Sequence, residues 1–560
     1  MKSFRAAALI LTTLMLIVTA VTAANAQVFT TLADFAGDDG SGPWSLVQGT
    51  DGNFYSTTQT QGAYGGGTAF KVTPEGALTA IYGFCAGSCS DGRWANFGLI
   101  LGIDGNFYGT NTFGGAYGQG TAFKITPDGT LTTLHSFCSE TNCTDGSEGT
   151  GLIQGTDGNI YGTTGGGGAA GQGTFFRITP AGTLTTLFSF CAQTNCTDGS
   201  LPWAALLQAT DGNFYGVTQF GGNPKCGSGN GCGTVFRITP SGTLTTLHRF
   251  CTQTCNDGTK PMGALVQATD GSFYGTTSTG GANGDGTVFK MTPSGTLTTL
   301  YSSCAQANCA DGTHPQAGLV QATDGNFYGT ATAGGNPYCS YNHGCGTVFE
   351  ITPDGILTTL YSFGGQADGS YPWGALIQST NGTLYGAAAN YPGTIFSLSM
   401  GLNPFVSFVH NPAKVGGSFG ILGQGLTGTT SVSLNGTPAK FTVRSDTLIL
   451  AAVPAGVTTG PVTVTTSSGT LTSNVPFRVM PQLLSFSPPS GPVGTQVTIT
   501  GVSLTQTTGV GFGDRKPASF TVKSDTQVTA TVPTGAKTGP VGIETQGGIA
   551  ISSGMFTVTQ

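Results

Sequence analysis

The sequence is poor in charge. Of its 560 residues, 8% are charged, with 19 Lys and Arg against 26 Asp and Glu and a formal net charge of −7. A chain with so few basic residues has no positive field that could hold a polyanion. Apolar runs of membrane-spanning length, about 20 residues, are missing beyond the N-terminal segment. We therefore expect no nucleic-acid partner and no membrane span in the mature chain.

Recognisable catalytic motifs are scarce as well, since the sequence contains no His-Glu-x-x-His and no P-loop. Five His residues lie in unrelated contexts: His135, His248, His314, His343 and His410. Single acids occur in the variable loops, at Glu140, Glu148 and Asp285, but nothing in the sequence pairs them for acid–base work. We predict no catalytic residues and keep an extracellular polysaccharide-active enzyme as an alternative.

The N-terminal 26 residues have the three-part pattern of a secretory signal. Lys2 and Arg5 precede an apolar run from Ala6 to Val18, and the segment ends on the small residues around Ala26. The apolar run is shorter than the span of about 20 residues that a membrane anchor needs. We predict a cleaved signal peptide over 1–26 and a secreted or cell-surface protein.

Glycine is abundant, with 93 residues, and it sits at fixed places in a repeat. An Asp-Gly phrase, with a worn Asn-Gly copy at the end, recurs every 53 to 59 residues, at Asp51, Asp104, Asp157, Asp211, Asp270, Asp324 and Asn381. Between these phrases, short stretches rich in Thr and in β-branched and aromatic residues alternate with turn formers, which predicts four antiparallel strands per repeat. Asp-Gly itself suits a tight hairpin.

A four-stranded unit of this length, repeated seven times, predicts a seven-bladed β-propeller over 27–400. The last repeat lacks a fourth strand of its own, and the sequence of a lone strand at 28–35 resembles the fourth strands of the other repeats. Pairing of this strand with 394–398 would close the ring and remove two open sheet edges.

The loops divide into two sets by their place in the repeat. The turns between first and second strands and between third and fourth strands are tight and nearly constant, so they share one face, the turn face. The remaining loops are longer and variable, and they share the other face, the loop face. Variable loops on a rigid scaffold commonly carry binding, so we expect the function on the loop face.

All 14 cysteines fall into close pairs, and every pair lies in a loop of the loop face. Even numbers, local spacing and a secretion signal together predict disulfides. Metal binding is the alternative, but two thiolates without a nearby His do not complete a zinc site. The predicted pairs are Cys85 with Cys89, Cys138 with Cys143, Cys191 with Cys196, Cys226 with Cys232, Cys251 with Cys255, Cys304 with Cys309, and Cys339 with Cys345.

The sequence contains four tryptophans, and three of them follow a proline just ahead of a first strand: Trp44, Trp203 and Trp373. Trp94 lies two positions out of this register, and other repeats place Met262, Gln316 and Gly149 there. One interpretation is packing between adjacent blades. The other is a platform on which sugar rings or other flat apolar ligands stack. We take the four tryptophans as candidate ligand-binding residues.

Two copies of a different repeat follow residue 400, with matching motifs 79 residues apart: Ser445-Asp446-Thr447 returns as Ser524-Asp525-Thr526. Short alternating strands over about 80 residues are typical of small β-sandwiches. The run from Phe486 to Gly501 resembles the IPT/TIG immunoglobulin-like fold, which implies one such domain over 401–480 and another over 481–560.

The propeller phrases resemble a known family too. The consensus phrases Asp-Gly-Asn-Phe-Tyr-Gly-Thr-Thr, Gly-Thr-Val-Phe-Lys-Ile-Thr-Pro and Gly-Thr-Leu-Thr-Thr-Leu, which individual repeats match with one or two changes, are similar to the bacterial GloVer (Gloeo/Verruco) tandem repeat. The resemblance implies export and a repeat architecture, and it brings no chemistry with it.

These observations favour an exported, non-catalytic recognition or adhesion protein whose partner is an extracellular glycan or a surface protein. A structural surface component is a further alternative. We expect no cofactor and no metal; calcium at the Asp-Gly loops is the one alternative, because oxygen-rich turns bind hard cations.

Overall fold

The computed structural model describes residues 27–339, 344–365 and 367–560. Those residues form strands joined by turns and short 3-10 segments, without an α-helix, which confirms the all-β prediction. No helix in this part of the chain is long and apolar enough to cross a membrane. The predicted signal segment 1–26 and His343 lie outside the described residues.

Each repeat before residue 400 forms one antiparallel sheet, and the described chain contains seven such sheets there, arranged as the blades of a β-propeller. We count blades from the Asp51 turn and strands from the inside of each blade outwards. The first strands are Ser41–Pro43 with Val47–Gln48, Ile100–Leu101, Ser147–Gln154, Leu207–Gln208, Val266–Gln267, Val320–Gln321 and Ile377–Gln378. The second strands are Phe54–Thr60, Phe107–Asn111, Ile160–Gly166, Phe214–Thr218, Phe273–Thr277, Phe327–Ala331 and Leu384–Ala388.

The outer two strands of each blade carry the Thr-rich text of the repeat. The third strands are Thr68–Val72, Thr121–Ile125, Thr174–Ile178, Thr234–Ile238, Thr287–Met291, Thr347–Ile351 and Thr394–Ser399. The fourth strands are Leu78–Gly83, Leu131–Ser136, Leu184–Ser189, Leu244–Arg249, Leu297–Ser302 and Leu357–Ser362.

The N-terminal strand joins the two ends of the repeat region. Val28–Asp34 pairs antiparallel with Thr394–Ser399 of the seventh blade, where the other blades have their own fourth strand. Phe29 on this strand packs against Tyr361 of the sixth blade and Phe396 of the seventh. The paired edges are thereby covered, and the first and last repeats are held together.

The recurrent Asp of the first hairpin is a hydrogen-bond acceptor within its own blade. In the second blade, Asp104 accepts from the amide of Asn106 at 3.2 Å and from the hydroxyl of Tyr108 at 2.9 Å. Burial, and then the hydrogen bond to Asp104, raise the pKa of Tyr108. In the seventh blade Asn381 takes this place, and its Nδ2 donates to the Tyr385 hydroxyl at 2.9 Å. The Asp therefore ties the turn to the second strand.

The next residues of the phrase build the blade core. A Cβ on Gly109 would lie 2.7 Å from Cζ of Phe123 and 2.8 Å from Cδ2 of Leu99, so only glycine leaves room for both side chains. The same close approach recurs at Gly162, Gly216, Gly275, Gly329 and Gly386. This glycine is required for space rather than for its backbone angles.

Recurrent polar side chains connect neighbouring blades on both faces. Near the loop face, Thr57 Oγ1 donates to the carbonyl of Ala95 in the next blade at 3.0 Å. Near the turn face, the amide of Thr156 donates to Oε1 of Gln208 in the next blade at 2.9 Å. Equivalent Gln contacts come from Gln154, Gln267, Gln321, Gln378 and Gln48, the last of which joins the seventh blade to the first.

Two β-sandwiches follow the propeller. Their cores hold Val432, Ile449 and Val464 in the first and Ile499, Val528 and Phe556 in the second. The first is built from Ser407–Phe408, Ala413–Lys414, Ser418–Leu422, Ser431–Leu434, Thr437–Pro438, Phe441–Ser445, Leu448–Ala452, Val462–Thr466, Gly469–Thr472 and Val479–Met480. The second is built from Gln482–Ser487, Ser490–Gly491, Gln496–Val502, Thr507–Phe512, Lys516–Pro517, Phe520–Ser524, Gln527–Thr531, Gly539–Thr545 and Gly548–Val558.

The first sandwich is docked on the turn face of the propeller. Thr447 Oγ1 donates to the carbonyl of Thr50 in the first blade at 2.7 Å, and Arg478 Nη1 approaches the carbonyl of Ala209 in the fourth blade at 3.5 Å. The turn face is thus an interdomain interface, and the loop face is the end of the propeller that points away from the sandwiches.

Substitution of Asp157 tests the hairpin role of the recurrent acid. Asp157→Ala removes the acceptor for the Asn159 amide at 3.1 Å and for the Tyr161 hydroxyl at 2.9 Å. We therefore expect the free energy of unfolding to fall by about 1–3 kcal/mol. Asp157→Asn should cost much less, because Asn381 fills this position in the seventh blade. Thermal unfolding is measured with calcium and with chelator. A calcium-dependent stabilisation that Asp157→Asn abolishes would show that the turn binds metal instead.

Candidate functional site

A cavity of about 330 Å³ lies at the loop-face end of the propeller axis. Its walls come from six of the seven blades. Most of the contributing residues lie just ahead of a first strand, at the end opposite the Asp-Gly turn, and Gln59 comes from the second strand of the first blade. We call this cavity the aromatic cup and define it by Trp44, Phe97, Trp203, Met262, Gln316 and Trp373.

One backbone feature directs these residues to the axis. In each blade, the residue that begins the segment has a positive φ, and its amide donates to a carbonyl of the preceding blade; Leu201, for example, has φ of 51° and bonds Gln172 at 3.0 Å. We call this residue the pivot. The pivots are Gly42, Trp94, Glu148, Leu201, Lys260, His314 and Tyr371.

The pivots show which residues of different blades align with one another, and therefore which side chains enter the cup. Trp94 is itself a pivot, it contacts Phe113, and it is 38% exposed outside the cup. In the second blade the cup therefore receives Asn96 and Phe97, which the tryptophan pattern missed. Counting back from the first strand, at Ile100–Leu101, would have found them.

The third blade also departs from the expected alignment. Gly149 follows the pivot Glu148 directly, so it takes the place that proline has in most blades. The position aligned with the tryptophans is Thr150, which is buried and bonded to Thr163. This blade contributes no side chain to the cup.

The aromatic side chains form a continuous arc over half of the cup. Ring centroids are 5.9 Å apart between Trp373 and Trp44, 6.1 Å between Trp44 and Phe97, and 5.6 Å between Phe97 and Trp203. Trp44 and Trp203 are half-buried and Trp373 is 39% exposed. These indoles are therefore partly open at the cavity and are not buried between blades.

Trp203 reaches across the third blade because residue 165 of that blade is glycine. A Cβ on Gly165 would lie 2.5 Å from Cζ3 of the Trp203 indole and 3.5 Å from Glu148 Oε2. The missing side chain leaves space for the indole, which then contacts Phe97 of the second blade. The arc is continuous for this reason.

The rest of the cup is uncharged and mixes small or apolar residues, such as Met262 and Ala317, with three side-chain amides. Gln59, Asn96 and Gln316 present side-chain amides, and none of the lining residues has a charged side chain. Asn96 Nδ2 donates to Thr112 Oγ1 at 3.1 Å, while Asn96 Oδ1 has no hydrogen-bond partner among the described residues. A buried acceptor without a partner is costly, so a ligand donor here would be stabilising.

The single acids of the variable loops do not enter the cup. Glu140 accepts from Thr144 at the surface, and Glu148 lies beside Trp203, outside the lining. Asp285 lies near the Cys304–Cys309 disulfide. Among the described residues, the lining of the cup holds no pair of carboxylates, the groups that most glycoside hydrolases use.

Seven local disulfides brace the loop face. The described residues contain two clusters with metal-ligand spacing, and the cysteines of both are oxidised, so they offer no thiolate. The structure joins Cys85 to Cys89, Cys138 to Cys143, Cys191 to Cys196, Cys226 to Cys232, Cys251 to Cys255, Cys304 to Cys309, and Cys339 to Cys345.

The cysteines take no part in the aromatic cup, whatever their burial. Cys89 and Cys143 are half-buried, Cys255 is exposed and Cys345 is buried. None of the 14 lines the cavity. The disulfides close loops around the cup, and the side chains that line the cavity belong to other residues.

The disulfide loop of the second blade is held by a buried aspartate. Asp145 accepts from the Ser139 amide and from His135 Nε2, both at 2.9 Å. Burial raises the pKa of Asp145, but the hydrogen bonds from Ser139 and His135 outweigh it and hold the pKa below its usual range. His248 contacts Asp257 in the same way. The fourth-strand histidines thus act where other blades use tyrosine, as in the pairs Tyr82–Asp91, Tyr301–Asp311 and Tyr361–Asp368.

His135 variants test this loop bond. Because the folded pKa of Asp145 is lowered, its stabilisation is present above the unfolded pKa, about 3.9, and is lost as pH falls through the folded pKa. His135→Phe, a residue that the third blade carries as Phe188, should lower stability at neutral pH by about 1 kcal/mol. Because it brings the folded pKa of Asp145 closer to the unfolded value, the acid loss should be smaller and should end at higher pH. His135→Tyr should preserve the wild-type profile. Thermal unfolding between pH 2 and 7 measures both, and identical profiles for Phe and Tyr would contradict the bond.

Solved structures similar to this chain are distant. A fungal alcohol oxidase is 14% identical, with a TM-score of 0.46 over 81% of this chain and 98% of its own. The extracellular domain of a protein assigned as a hybrid two-component system of B. thetaiotaomicron is 11% identical, with a TM-score of 0.44 over 96% and 60%. A surface glycan-binding protein from Prevotella bryantii is 18% identical, with a TM-score of 0.21 over 26% and 38%. Such likenesses are too weak to assign a ligand or an activity.

Family comparisons are decisive for the architecture. None of the curated proteins compared with this chain matches it. The IPT/TIG domain matches residues 404–479 and 481–559, which are the two sandwiches. The Gloeobacter/Verrucomicrobia repeat matches residues 17–144, 139–340 and 303–427, which together span the propeller. The chain therefore belongs to the Gloeobacter/Verrucomicrobia repeat family and ends in two IPT/TIG domains.

Proposed function

We propose that this protein binds neutral carbohydrate in the aromatic cup and acts outside the cell in recognition or adhesion, without catalysis. The observation that carries the proposal is the arc of Trp373, Trp44, Phe97 and Trp203 around an uncharged cavity. Partly exposed indoles that face one space are unusual unless they contact a ligand, because exposed aromatic surface is unfavourable in water.

The aromatic rings and the side-chain amides of the cup match the two kinds of surface on a sugar. The flat faces of the indoles suit the apolar C–H faces of a pyranose ring. The amides of Gln59, Asn96 and Gln316 both donate and accept, as sugar hydroxyls do. A charged sugar would be desolvated here without a counter-ion, which is costly. The chemistry therefore favours neutral over acidic glycans.

The arrangement of domains supports display of the cup. The first IPT/TIG domain is docked on the turn face, through Thr447 and Arg478 among others. The cup opens at the opposite end, among loops that are braced by disulfides, the bonds that form in oxidising compartments. A protein attached through its C-terminal domains would point the cup outwards.

Tryptophan variants test the site directly. The full-length protein is applied to an array of neutral and acidic glycans, and affinities for the bound glycans are measured by calorimetry. Trp44→Ala, Trp203→Ala and Trp373→Ala should each weaken binding about tenfold, since buried tryptophan contacts often contribute more than 1 kcal/mol.

Trp94→Ala is the matched control, because Trp94 is an exposed tryptophan on the same face but outside the cup. It should bind as the wild type does. Equal losses in all four variants would indicate a nonspecific effect, and unchanged affinity in the three cup variants would refute the site.

Gly165→Ala tests the position of an indole without removing it. The new Cβ would meet the Trp203 ring at 2.5 Å, and the flexible end of that side chain can move away. We expect affinity to fall about fivefold, or about 1 kcal/mol, with little change in melting temperature. Gly542→Ala, where the added methyl meets no atom within 4 Å, is the control. Wild-type affinity together with a shifted Trp203 emission would exclude this indole from the binding site.

A further inference from the structure

We infer that the cup takes the end of a sugar chain, with about one or two terminal rings inserted along the propeller axis, and does not hold the middle of a chain. This inference rests on the proposed carbohydrate function. The inference depends on three observations: what covers the base of the propeller axis, how closely neighbouring blades pack, and how large the cavity is.

The base of the axis is covered by the first IPT/TIG domain. Besides Thr447 on the first blade and Arg478 on the fourth, the amide of Phe405 donates to the carbonyl of Thr380 in the seventh blade at 3.0 Å. Strand residues of the domain also share a cavity with Asp324 of the sixth blade. A body that contacts turns on opposite sides of the ring lies across its axis, so a sugar chain cannot thread through the propeller.

The walls between blades are closed as well. A Cβ on Gly263 would lie 2.5 Å from the carbonyl oxygen of Ala317 in the next blade. Around the ring, a Cβ on Gly374 would lie 2.8 Å from the amide of Ser45, and a Cβ on Gly98 would lie 2.6 Å from its carbonyl oxygen. At these three junctions the described inner segments are packed too closely for a methyl group, so they leave no lateral slot through which a sugar chain could pass.

One opening and a small volume together select a chain end. An internal segment of a polysaccharide needs an entrance and an exit, whereas a terminal unit needs only an entrance. A volume of about 330 Å³ is at the lower end of the range for ligand pockets, about 300–1,000 Å³, which suits about one or two sugar rings. The rest of the chain would extend from the mouth past the loop face.

The test compares oligosaccharides that differ only in length or in the presence of ends. Calorimetry with the full-length protein uses cello-, xylo-, manno- and maltooligosaccharides of two to six units. We expect affinity to reach its limit at about two or three units and then to stay within about twofold. Reduction of the reducing end, or methylation of the non-reducing terminal unit, should weaken binding at least about tenfold for whichever end is inserted.

α-Cyclodextrin, the ring of six units, serves as an α-1,4-glucan without ends and is compared with maltohexaose. Affinity that rises through six units, wild-type affinity for both end-modified forms, or binding of cyclodextrin equal to that of maltohexaose would overturn end recognition while leaving carbohydrate binding intact. Failure of every neutral oligosaccharide to bind would overturn the proposed function itself. The Trp44→Ala variant is measured in parallel, so that binding elsewhere on the protein is recognised by its persistence.

Discussion

The hydrogen bond from each pivot amide to the preceding blade is the interaction on which the candidate site depends. At Leu201 the bond to Gln172 sets where the next residues lie, and Trp203 reaches the axis as a result. The conformation is unfavourable for residues other than glycine, by about 1 kcal/mol each, yet only Gly42 is glycine. Neighbouring blades supply the compensation, through recurrent contacts such as Thr57 with Ala95 and Gln208 with Thr156. The cup is therefore a property of the closed ring and not of any single repeat.

Repeated and irregular residues have different tasks in this chain. The phrase that recurs along the propeller has structural roles. Its Asp, or Asn381 in the seventh blade, closes a turn, and its Tyr anchors that turn. The Gly after the Tyr, which is Ser56 in the first blade, leaves room for a Phe in the core. The residues that vary from blade to blade collect at the loop-face end of the axis, where Trp44, Met262 and Gln316 share one cavity. The turn face, where the turns of the repeats are nearly identical, is the surface on which the first IPT/TIG domain is docked. The blades thus differ from one another mainly at the loop-face end of the axis, and the residues that differ there are the ones that can distinguish one ligand from another.

Much of the architecture follows from local chemistry and was predictable for that reason. Hairpins at Asp-Gly, strands in Thr-rich text and disulfides between cysteines a few residues apart are decided within one repeat, and repetition multiplies the signal. The family resemblance over the propeller and the two sandwiches is confirmed on the same grounds. Three of the cup tryptophans were also identified, because proline marks their place before the first strand.

The remainder of the site depends on contacts between blades, which no local pattern encodes. Trp94 is a pivot residue and lies outside the cup, where Phe97 of the same blade takes its expected place. Trp203 crosses the third blade because Gly165 has no side chain. The covering of the axis by the first IPT/TIG domain is likewise a meeting of surfaces hundreds of residues apart, as between Thr50 and Thr447. Residue order alone thus specified the strands, their number per repeat and the family. Whether a given tryptophan faces the axis, and from which end that axis can be reached, was decided by packing, because both depend on distances between chain segments that only the closed ring and the docked domain bring together.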